Sequence, residues 1–273
     1  MTKRIMNSAK QAISKTAIYL GLFSAIITII GIVGYESIIA TPFMRFVIAM
    51  TILLLAFFIA FLKCFFSNKV EVQLGNSRIA YIEYGHVFEK AGIVVIPFNK
   101  YFDTLVNGRI VNESSMVGRL VKHAYPGNLN ELDSAISASL INESYELNEK
   151  EKKEGKNKFY PIGTVAKITK GANDYYCLAL TKVDRTSNKS VCNIGMLSTA
   201  LIELLKFINI HSDGADVYMP LLGSGFARLN KEKQTILDFI ISILKASDIP
   251  FQSKLHIVLL ESERELFDLT KHY

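Results

Sequence analysis

The sequence predicts an α/β protein in two parts: an N-terminal transmembrane helical hairpin over residues 1–69 and a larger α/β domain over residues 70–273. Two uncharged apolar runs, residues 16–35 and 46–62, lie in the first part. Each is close to the ~20 residues that a helix needs to cross ~30 Å of hydrocarbon. After residue 69, short apolar segments alternate with amphipathic stretches, a pattern typical of strands and helices layered around one core.

The charge distribution predicts the orientation of the hairpin. The first 69 residues carry seven Lys or Arg and one acid, Glu36, which accounts for the whole net charge of +6. Four basic residues precede the first run and Lys63 and Lys69 flank the end of the second, whereas the connecting segment 36–45 holds one acid and one base. Because basic residues favour the cytoplasmic side, we expect a cell inner membrane protein with both termini and the larger domain in the cytoplasm.

Two other interpretations of the N-terminal part were weighed. A cleaved signal peptide also begins with basic residues, but its apolar part is typically ~7–15 residues long and no second run follows it. Small residues at helical spacing in the first run would let two transmembrane helices approach closely, which is compatible with a homo-oligomer. Glycine is common in membrane helices, so this support is weak. The small residues are Gly21, Ala25, Thr28, Gly31 and Gly34.

The larger domain is charge-balanced, with 24 basic and 24 acidic residues from residue 70 onward. It therefore has no net field with which to hold nucleic acid by phosphate neutralisation, and no nucleic-acid partner is expected. The three cysteines, Cys64, Cys177 and Cys192, are few and odd in number, which favours a reducing compartment over a disulfide framework. We expect no metal and no resident cofactor.

Strands and helices are predicted in turn along this domain, from residue composition and from flanking Gly, Pro, Asn or Asp. The strands are residues 78–84, 92–97, 163–168, 175–183, 217–221 and 255–260. The helices are residues 114–124, 130–142, 194–207, 231–245 and 262–271. Asn230 is expected to cap the fourth helix, Lys245 to lie in its last turn, and the charged stretch 148–158 to be a solvated loop. Together these elements predict a mixed sheet of roughly six strands, covered by helices on both faces.

Open sheets of this kind bind ligands where strand ends meet helix N-termini, which selects the loops 97–104 and 221–229. In the second loop an apolar strand ends in Gly223-Ser224-Gly225 and a helix follows. Glycines let the backbone approach a ligand and point N–H groups at a diphosphate, and Ser224 can add a hydroxyl. A Gly-x-Gly after a strand is also found as an ordinary tight turn, so the motif alone does not decide.

The segment from Arg78 onward resembles a macro domain, an α/β/α sandwich that binds ADP-ribose. The string IVVIPFN over residues 93–99 looks like the family's strand that ends in a ribose-contacting Asn, which implies that role for Asn99. MPLLGSGFARL over residues 219–229 looks like its phosphate loop. The resemblance implies that the diphosphate and distal-ribose contacts are Leu222, Gly223, Ser224, Gly225 and Phe226.

Gly85-His86 stands where that family usually has Gly-Asp, with the Asp reading the adenine amino group. An imidazole cannot accept hydrogen bonds as a carboxylate does, so base recognition by His86 departs from the family pattern. Val87 could still stack on the base or donate its N–H.

The pattern N-x-x-F-D-T from Asn99, followed by S-x-x-G from Ser115, is similar to a divergent macro-like branch fused behind two transmembrane helices. That similarity implies that Ser115 belongs to the site. Asp103 is expected to face the distal ribose and the group attached to it. Phe102 and Phe226 are placed to stack on or cover that group, although Phe at such spacing is at least as often a core residue. The whole architecture resembles the membrane effector of type II Thoeris antiphage defence.

That resemblance implies partners and a mode of action. A TIR-domain enzyme would convert NAD into an ADP-ribose-type signal, reported for the family as a histidine–ADP-ribose conjugate. The macro domain would bind the signal, the protein would oligomerise, and the hairpin would disrupt the lipid bilayer in abortive infection. On this interpretation the protein is not an enzyme and has no catalytic residue.

Two alternatives remain open. The same fold could be a membrane-tethered ADP-ribosyl hydrolase, with Asp103 activating a water and His123 or His86 acting as acid or base. The simpler view is that Asp103 caps a turn and that His123 is a surface residue. A plain membrane-anchored scaffold is the third possibility, and it leaves the Gly-Ser-Gly loop unexplained.

Overall fold

The computed structural model describes most of the larger domain and part of the N-terminal region. The described residues are 9, 12–13, 16, 21, 24, 42–66, 69–75, 78–147, 155–184, 189–225 and 227–269. The chain divides into two compact units, one of residues 71–267 and the other of residues 1–70 with 268–273.

In the smaller unit, helix α1 (Pro42–Phe66) contains the whole of the second apolar run. Pro42 occupies its first position, where the missing N–H costs nothing, and neither glycine nor a further proline interrupts it. Ala56 and Ala60 are fully buried, whereas Leu54 and Phe58 are more than half exposed. The first apolar run lies outside the described residues apart from three positions, so the hairpin stays a prediction.

Among the described residues, length and composition identify a single helix apolar enough to cross a membrane, Ile194–His211, with a mean hydropathy of 1.3. This helix is α4 of the larger unit. Six of its side chains are buried, including Leu197, Leu201 and Leu204, and it contacts the sheet. It is therefore a core helix. Within α1, the residues Met50–Leu62 form a shorter apolar stretch.

The larger unit alternates strands and helices. The strands are β1 (Lys69–Gly75), β2 (Arg78–Tyr84), β3 (Ile93–Asn99), β4 (Glu146–Leu147), β5 (Lys158–Phe159), β6 (Val165–Lys170), β7 (Asn173–Asp184), β8 (Lys189–Val191), β9 (Val217–Pro220) and β10 (Leu255–Leu259). The helices are α2 (Met116–Ala124), α3 (Leu129–Ser139), α4 (Ile194–His211) and α5 (Lys233–Ala246). Two 3-10 helices, Val87–Glu89 and Glu261–Leu266, complete the described elements.

The main sheet has the order β1-β2-β10-β9-β3-β7-β6, and β8 pairs with β7. Strands β2, β10, β9, β3 and β7 run parallel to one another, whereas β6 and β8 are antiparallel to β7. The register places Ile257 of β10 between Ile82 of β2 and Met219 of β9. The predicted mixed sheet is thus confirmed, with eight strands in the described part of the chain where the sequence indicated about six.

Each face of the sheet carries its own helices. On one face Ile96 and Phe98 of β3 pack in a buried cluster with Leu120 of α2 and Leu132 of α3. Side chains alternate along a strand, so the intervening residues point to the other face, where the buried sides of α4 and α5 lie. This is the three-layer arrangement expected from the sequence.

Three local predictions were wrong. The segment predicted as a last α-helix, 262–271, is described up to residue 269. It begins as a 3-10 helix over Glu261–Leu266 that has no buried residues, and so it has no apolar face to stabilise an α-helix. Asn230 has a φ of 51° and is not the cap; α5 starts at Lys233 after Glu232. Lys245 lies in the last turn as predicted. Lys158, placed in the solvated loop, belongs to strand β5, and residues 148–154 lie outside the described residues.

Candidate functional site

A cavity of about 360 Å³ opens at one edge of the main sheet. Strands β2, β10, β9 and β3 are parallel neighbours, so their carboxyl ends share this edge. The residues at or just after those ends, Gly85, Leu260, Leu221 and Asn99, all line the cavity. The cavity is therefore where the sequence predicted a ligand site for a sheet of this type.

The Gly-Ser-Gly segment forms a tight turn on one wall. The Leu221 carbonyl accepts hydrogen bonds from the Ser224 N–H at 3.3 Å and from the Ser224 hydroxyl at 2.7 Å. Gly223 has a φ of 85°, a left-handed conformation that favours glycine. Apart from its two chain neighbours, no atom of the described residues lies within 4 Å of where a Cβ on Gly225 would stand. Since the Ser224 hydroxyl proton is used inside the turn, this side chain shapes the loop and keeps only acceptor capacity for a ligand.

The Asn99 side chain organises the opposite wall. Its Oδ1 accepts hydrogen bonds from the N–H of Tyr101 at 2.9 Å and of Asp103 at 3.4 Å, and its Nδ2 donates to Asp103 Oδ2 at 3.1 Å. The second carboxylate oxygen of Asp103 accepts from the Lys156 N–H at 2.7 Å, and Asp103 is only 2% exposed. This local pattern is an Asx-type turn in which both carboxylate oxygens are engaged.

Ser115 is the N-cap of α2. Its hydroxyl accepts from the Gly118 N–H at 3.1 Å and donates to the Asn112 carbonyl at 2.6 Å. A Cβ on Gly118 would stand 2.4 Å from the Asn112 carbonyl oxygen, so the close approach of helix and loop requires glycine. The S-x-x-G pattern is thus a capping and packing element, and it brings Ser115 and Met116 to the cavity lining.

His86 and Val87 form part of the cavity at the end of β2. The Gly85 N–H donates to the Leu259 carbonyl at 2.9 Å, which ties the start of this loop to β10. The side chain of Val87 is buried, whereas His86 is exposed and makes no capping hydrogen bond to the 3-10 helix that it precedes. The imidazole is therefore available to a ligand.

Basic side chains outnumber acidic ones around the cavity by five to two. The two acids are Asp103 and Glu263, and Glu263 forms an ion pair with one of the basic residues, Lys233. This excess is a local property because the chain from residue 70 onward is charge-balanced. It favours an anionic ligand. The basic residues are Arg109, Arg119, Lys189, Arg228 and Lys233.

The structure brings most of the predicted site residues together. Those that line the cavity are His86, Val87, Asn99, Asp103, Ser115, Leu222, Gly223, Ser224 and Gly225. Phe102, predicted to cover the ligand, is instead a core residue: it is 1% exposed, and its ring centroid lies 5.7 Å from that of Phe98 and 5.5 Å from that of Tyr160. Phe226 lies outside the described residues.

His123, a candidate acid or base, lies away from the cavity, and several residues that line the cavity were not predicted from the sequence. His123 is exposed, packs its ring 5.3 Å from that of Phe88 and is not part of the cavity lining. The basic lining residues, and Thr181 and Ser190 near the β7–β8 hairpin, were not foreseen, because only the three-dimensional fold brings them to the cavity. Among the described residues, no group of three or more His, Cys, Asp or Glu side chains could hold a metal ion.

Comparison with known proteins decides the family. The sequence profile described as Thoeris protein ThsA, Macro domain, matches residues 81–260, which is more than half of the chain. The chain belongs to the ThsA macro-domain family. The Thoeris protein ThsA of Bacillus amyloliquefaciens (strain Y2) is 29% identical over 173 residues, which cover 62% of this chain and 56% of that relative. The chain thus spans little more than half the length of that ThsA protein.

Two alignments with solved macrodomain structures have TM-scores just below 0.5. The Oceanobacillus iheyensis macrodomain with ADP aligns with a TM-score of 0.48 and 16% identity, covering 75% of this chain and 94% of that one. The same macrodomain with MES bound aligns with a TM-score of 0.48 and 12% identity, covering 74% and 95%. The macro α/β fold expected from the sequence is confirmed by the family match.

Proposed function

We propose that this protein is a membrane-anchored sensor and effector of Thoeris antiphage defence whose macro domain binds an ADP-ribose-type signal. The observation that carries the proposal is the cavity at the shared ends of four parallel strands, walled by the Gly223 turn and by the Asn99–Asp103 loop. Its volume of about 360 Å³ falls within the roughly 300–1,000 Å³ of small-molecule sites.

Each wall suits one part of such a ligand. The diphosphate would lie on the Gly223 turn, where the open position at Gly225 leaves room for it. Asn99 has one amide hydrogen left for the distal ribose, and the Asp103 carboxylate can accept from a ribose hydroxyl. The adenine would lie against His86 and Val87. The basic lining offsets the charge of the diphosphate.

We propose that binding is the function and that the signal is not consumed. Asp103, the candidate base of the hydrolase alternative, accepts hydrogen bonds at both oxygens from Asn99 and from the Lys156 N–H. That arrangement gives the carboxylate a role in holding the loop. His123, a candidate acid, lies outside the cavity lining. These observations favour a sensor, which gains by leaving its signal intact.

Membrane action, oligomerisation and the TIR-domain partner belong to the same proposal. The hairpin of residues 1–69 would anchor the protein in the inner membrane, and a TIR-domain enzyme would supply the signal from NAD. Ligand can favour assembly only if it binds the assembled form more tightly than the single chain. Several hairpins brought together would then perforate or distort the bilayer.

Calorimetry of the purified full-length chain in mild detergent tests the binding step. The panel is ADP-ribose, NAD and a histidine–ADP-ribose conjugate, and we expect one ADP-ribose-type nucleotide to bind in the sub-micromolar range. Chromatography of the same mixtures after incubation should recover the ligand intact. Binding of none of the three would refute the sensor, and turnover of the bound nucleotide would favour the hydrolase.

Liposome leakage tests the effector step with the same panel. Protein reconstituted in dye-loaded vesicles should release dye only with the nucleotide that binds. If leakage is the same with and without every nucleotide, membrane disruption does not depend on ligand binding in the cavity, and the proposed coupling is refuted.

A further inference from the structure

A buried aromatic and charged cluster lies beside the cavity without lining it. His256 of β10 is 2% exposed and pairs in register with Tyr81 of β2 and Tyr218 of β9. Its ring stacks between those two phenol rings, with centroid distances of 5.0 Å to Tyr81 and 4.3 Å to Tyr218. A titratable group is therefore held at a fixed orientation in the middle of the sheet.

Both ring nitrogens of His256 face carboxylates. Nδ1 lies 3.5 Å from Glu83 Oε1, and Nε2 lies 3.5 Å from Asp216 Oδ2. A neutral imidazole has one N–H and one lone pair, so in this orientation it would point a lone pair at one of the two anions. The imidazolium offers an N–H to each. Both distances are those of ion pairs and not of hydrogen bonds.

The charges that face His256 balance only when it is protonated. Glu83 comes from β2, Asp216 from the turn before β9, and Lys90 from the loop after β2, with Lys90 Nζ 3.0 Å from Glu83 Oε1. Tyr218 contributes a neutral hydroxyl, because burial, Asp216 and Glu83 all raise the pKa of this phenol. Among these described residues the charges sum to two anions and two cations when His256 is an imidazolium. A neutral imidazole leaves one excess negative charge beside Glu83, whose side chain is only 10% exposed.

Lys90 connects this cluster to the cavity. It belongs to the loop of residues 85–92, and three residues of that loop, His86, Val87 and Phe88, line the cavity. The loop is tied down where it begins by the bond from Gly85 N to the Leu259 carbonyl. Residue 93, just beyond its end, donates its N–H to the Asp216 carbonyl at 2.9 Å.

We propose that His256 is held as an imidazolium and that its charge fixes the loop 85–92, so that the loop loosens and ligand affinity falls as pH rises. Protonated His256 holds Asp216 and Glu83 in place, and Glu83 in turn holds Lys90. Deprotonation removes one of the two cations of this network. The affinity part of the proposal rests on the proposed function, whereas the behaviour of the loop does not.

Hydrogen–deuterium exchange of the full-length chain tests the loop without any ligand. We expect backbone amides of residues 85–92 to be more protected near pH 6 than near pH 9, after correction for intrinsic exchange. His256→Gln should be unprotected at both pH values. Asp216→Asn, at a side chain that is 36% exposed and tolerant of change, should weaken the pH dependence. Equal protection of the wild-type loop at both pH values would overturn the proposal.

ADP-ribose affinity measured over the same pH range supplies the second readout. We expect wild-type affinity to fall about threefold to tenfold between the two pH values, and His256→Gln to bind weakly throughout. His86→Gln, which removes the cavity imidazole, should keep the pH dependence. If that variant abolishes it, His86 is the titrating group and the proposal fails. If ADP-ribose binds at no pH, the proposed function fails while the exchange experiment still decides the loop.

Discussion

Substitution of the two glycines of the Gly223 turn should have opposite effects on stability and on ligand affinity. Gly223 has a φ of 85°, and an added Cβ would lie 3.3 Å from Leu229 Cδ2. Gly223→Ala therefore places a side chain in left-handed backbone, which costs about 1–2 kcal/mol of unfolding free energy. Gly225 is exposed, its φ is not in that region, and apart from its two chain neighbours no atom of the described residues lies within 4 Å of the added Cβ. Gly225→Leu should then change stability by less than about 0.5 kcal/mol.

For ligand affinity we expect the reverse order, with the larger loss in Gly225→Leu. A leucine at position 225 would occupy the space proposed for the diphosphate, and we expect ADP-ribose affinity to fall at least tenfold, which corresponds to about 1.4 kcal/mol. Gly223→Ala leaves that space open and should bind with a smaller loss. Gly171, with a φ of 61° and open surroundings in the β6–β7 turn, provides the matched control. Gly171→Ala carries the same backbone strain without touching the cavity.

Urea unfolding and calorimetry of the four proteins, wild type included, measure both effects. The reasoning is refuted if Gly225→Leu binds ADP-ribose as tightly as wild type, or if it unfolds as readily as Gly223→Ala. A Gly171→Ala variant that lost affinity would show that strain alone alters the cavity.

Three further outcomes follow from local chemistry. Ser115→Ala removes the N-cap of α2 and should lower the unfolding free energy by about 1 kcal/mol, measured by urea titration, with an unchanged midpoint contradicting the capping role. With Cys64 replaced by Ser, the buried thiols of Cys177 and Cys192 should resist Ellman's reagent at neutral pH until the protein unfolds. The reason is that burial raises the pKa of both thiols, that of Cys192 to about 11. Rapid labelling of the folded chain would refute this prediction. Burial also raises the pKa of the Tyr125 phenol in the folded protein to about 12. The neutral phenol therefore contributes its full stabilisation below the pKa of about 10 that it has in the unfolded chain. That stabilisation is lost as pH rises through the pKa of the folded protein. Thermal scans should show that Tm falls at alkaline pH. Ionisation of the buried thiols should lower Tm as well, starting at about pH 8.5. A Tm that stays constant up to pH 11 would contradict this prediction.

Periodicity and composition were sufficient for the elements with the strongest local signals. Strand β3 is IVVIPFN, a continuous apolar run, and it is buried between β9 and β7 as such a run predicts. The strand β1 was missed although KVEVQLG alternates buried and exposed residues. The pairs β4 and β5, two residues each, are too short to leave a pattern.

Capping was predicted less well than packing. Asn230 has the composition of an N-cap, but its φ of 51° places it in a turn, and the helix begins three residues later. Asparagine is tolerated in either position, so sequence alone could not distinguish them. In contrast, Ser115 caps its helix through the hydroxyl, because Gly118 lets the loop approach.

The candidate site divides in the same way. The Gly223 turn and the Asn99 loop are contiguous in sequence, and a local motif was enough to select them. The basic lining residues come from separate loops and helices, for example Arg109 and Arg228, and no spacing rule connects them. Phe102 was misplaced because an aromatic residue next to a site motif has the same signature whether it covers a ligand or fills the core.

The position of β10 has a consequence for how the protein is made. This strand, Leu255–Leu259, lies between β2 and β9 at the centre of the sheet although it is the last one synthesised among the described strands. The ribosome completes β2, β3 and β9 before it releases β10. Until then β2 lacks its inner neighbour and the cavity lacks one wall. A half-made copy therefore cannot hold a ligand in the complete cavity.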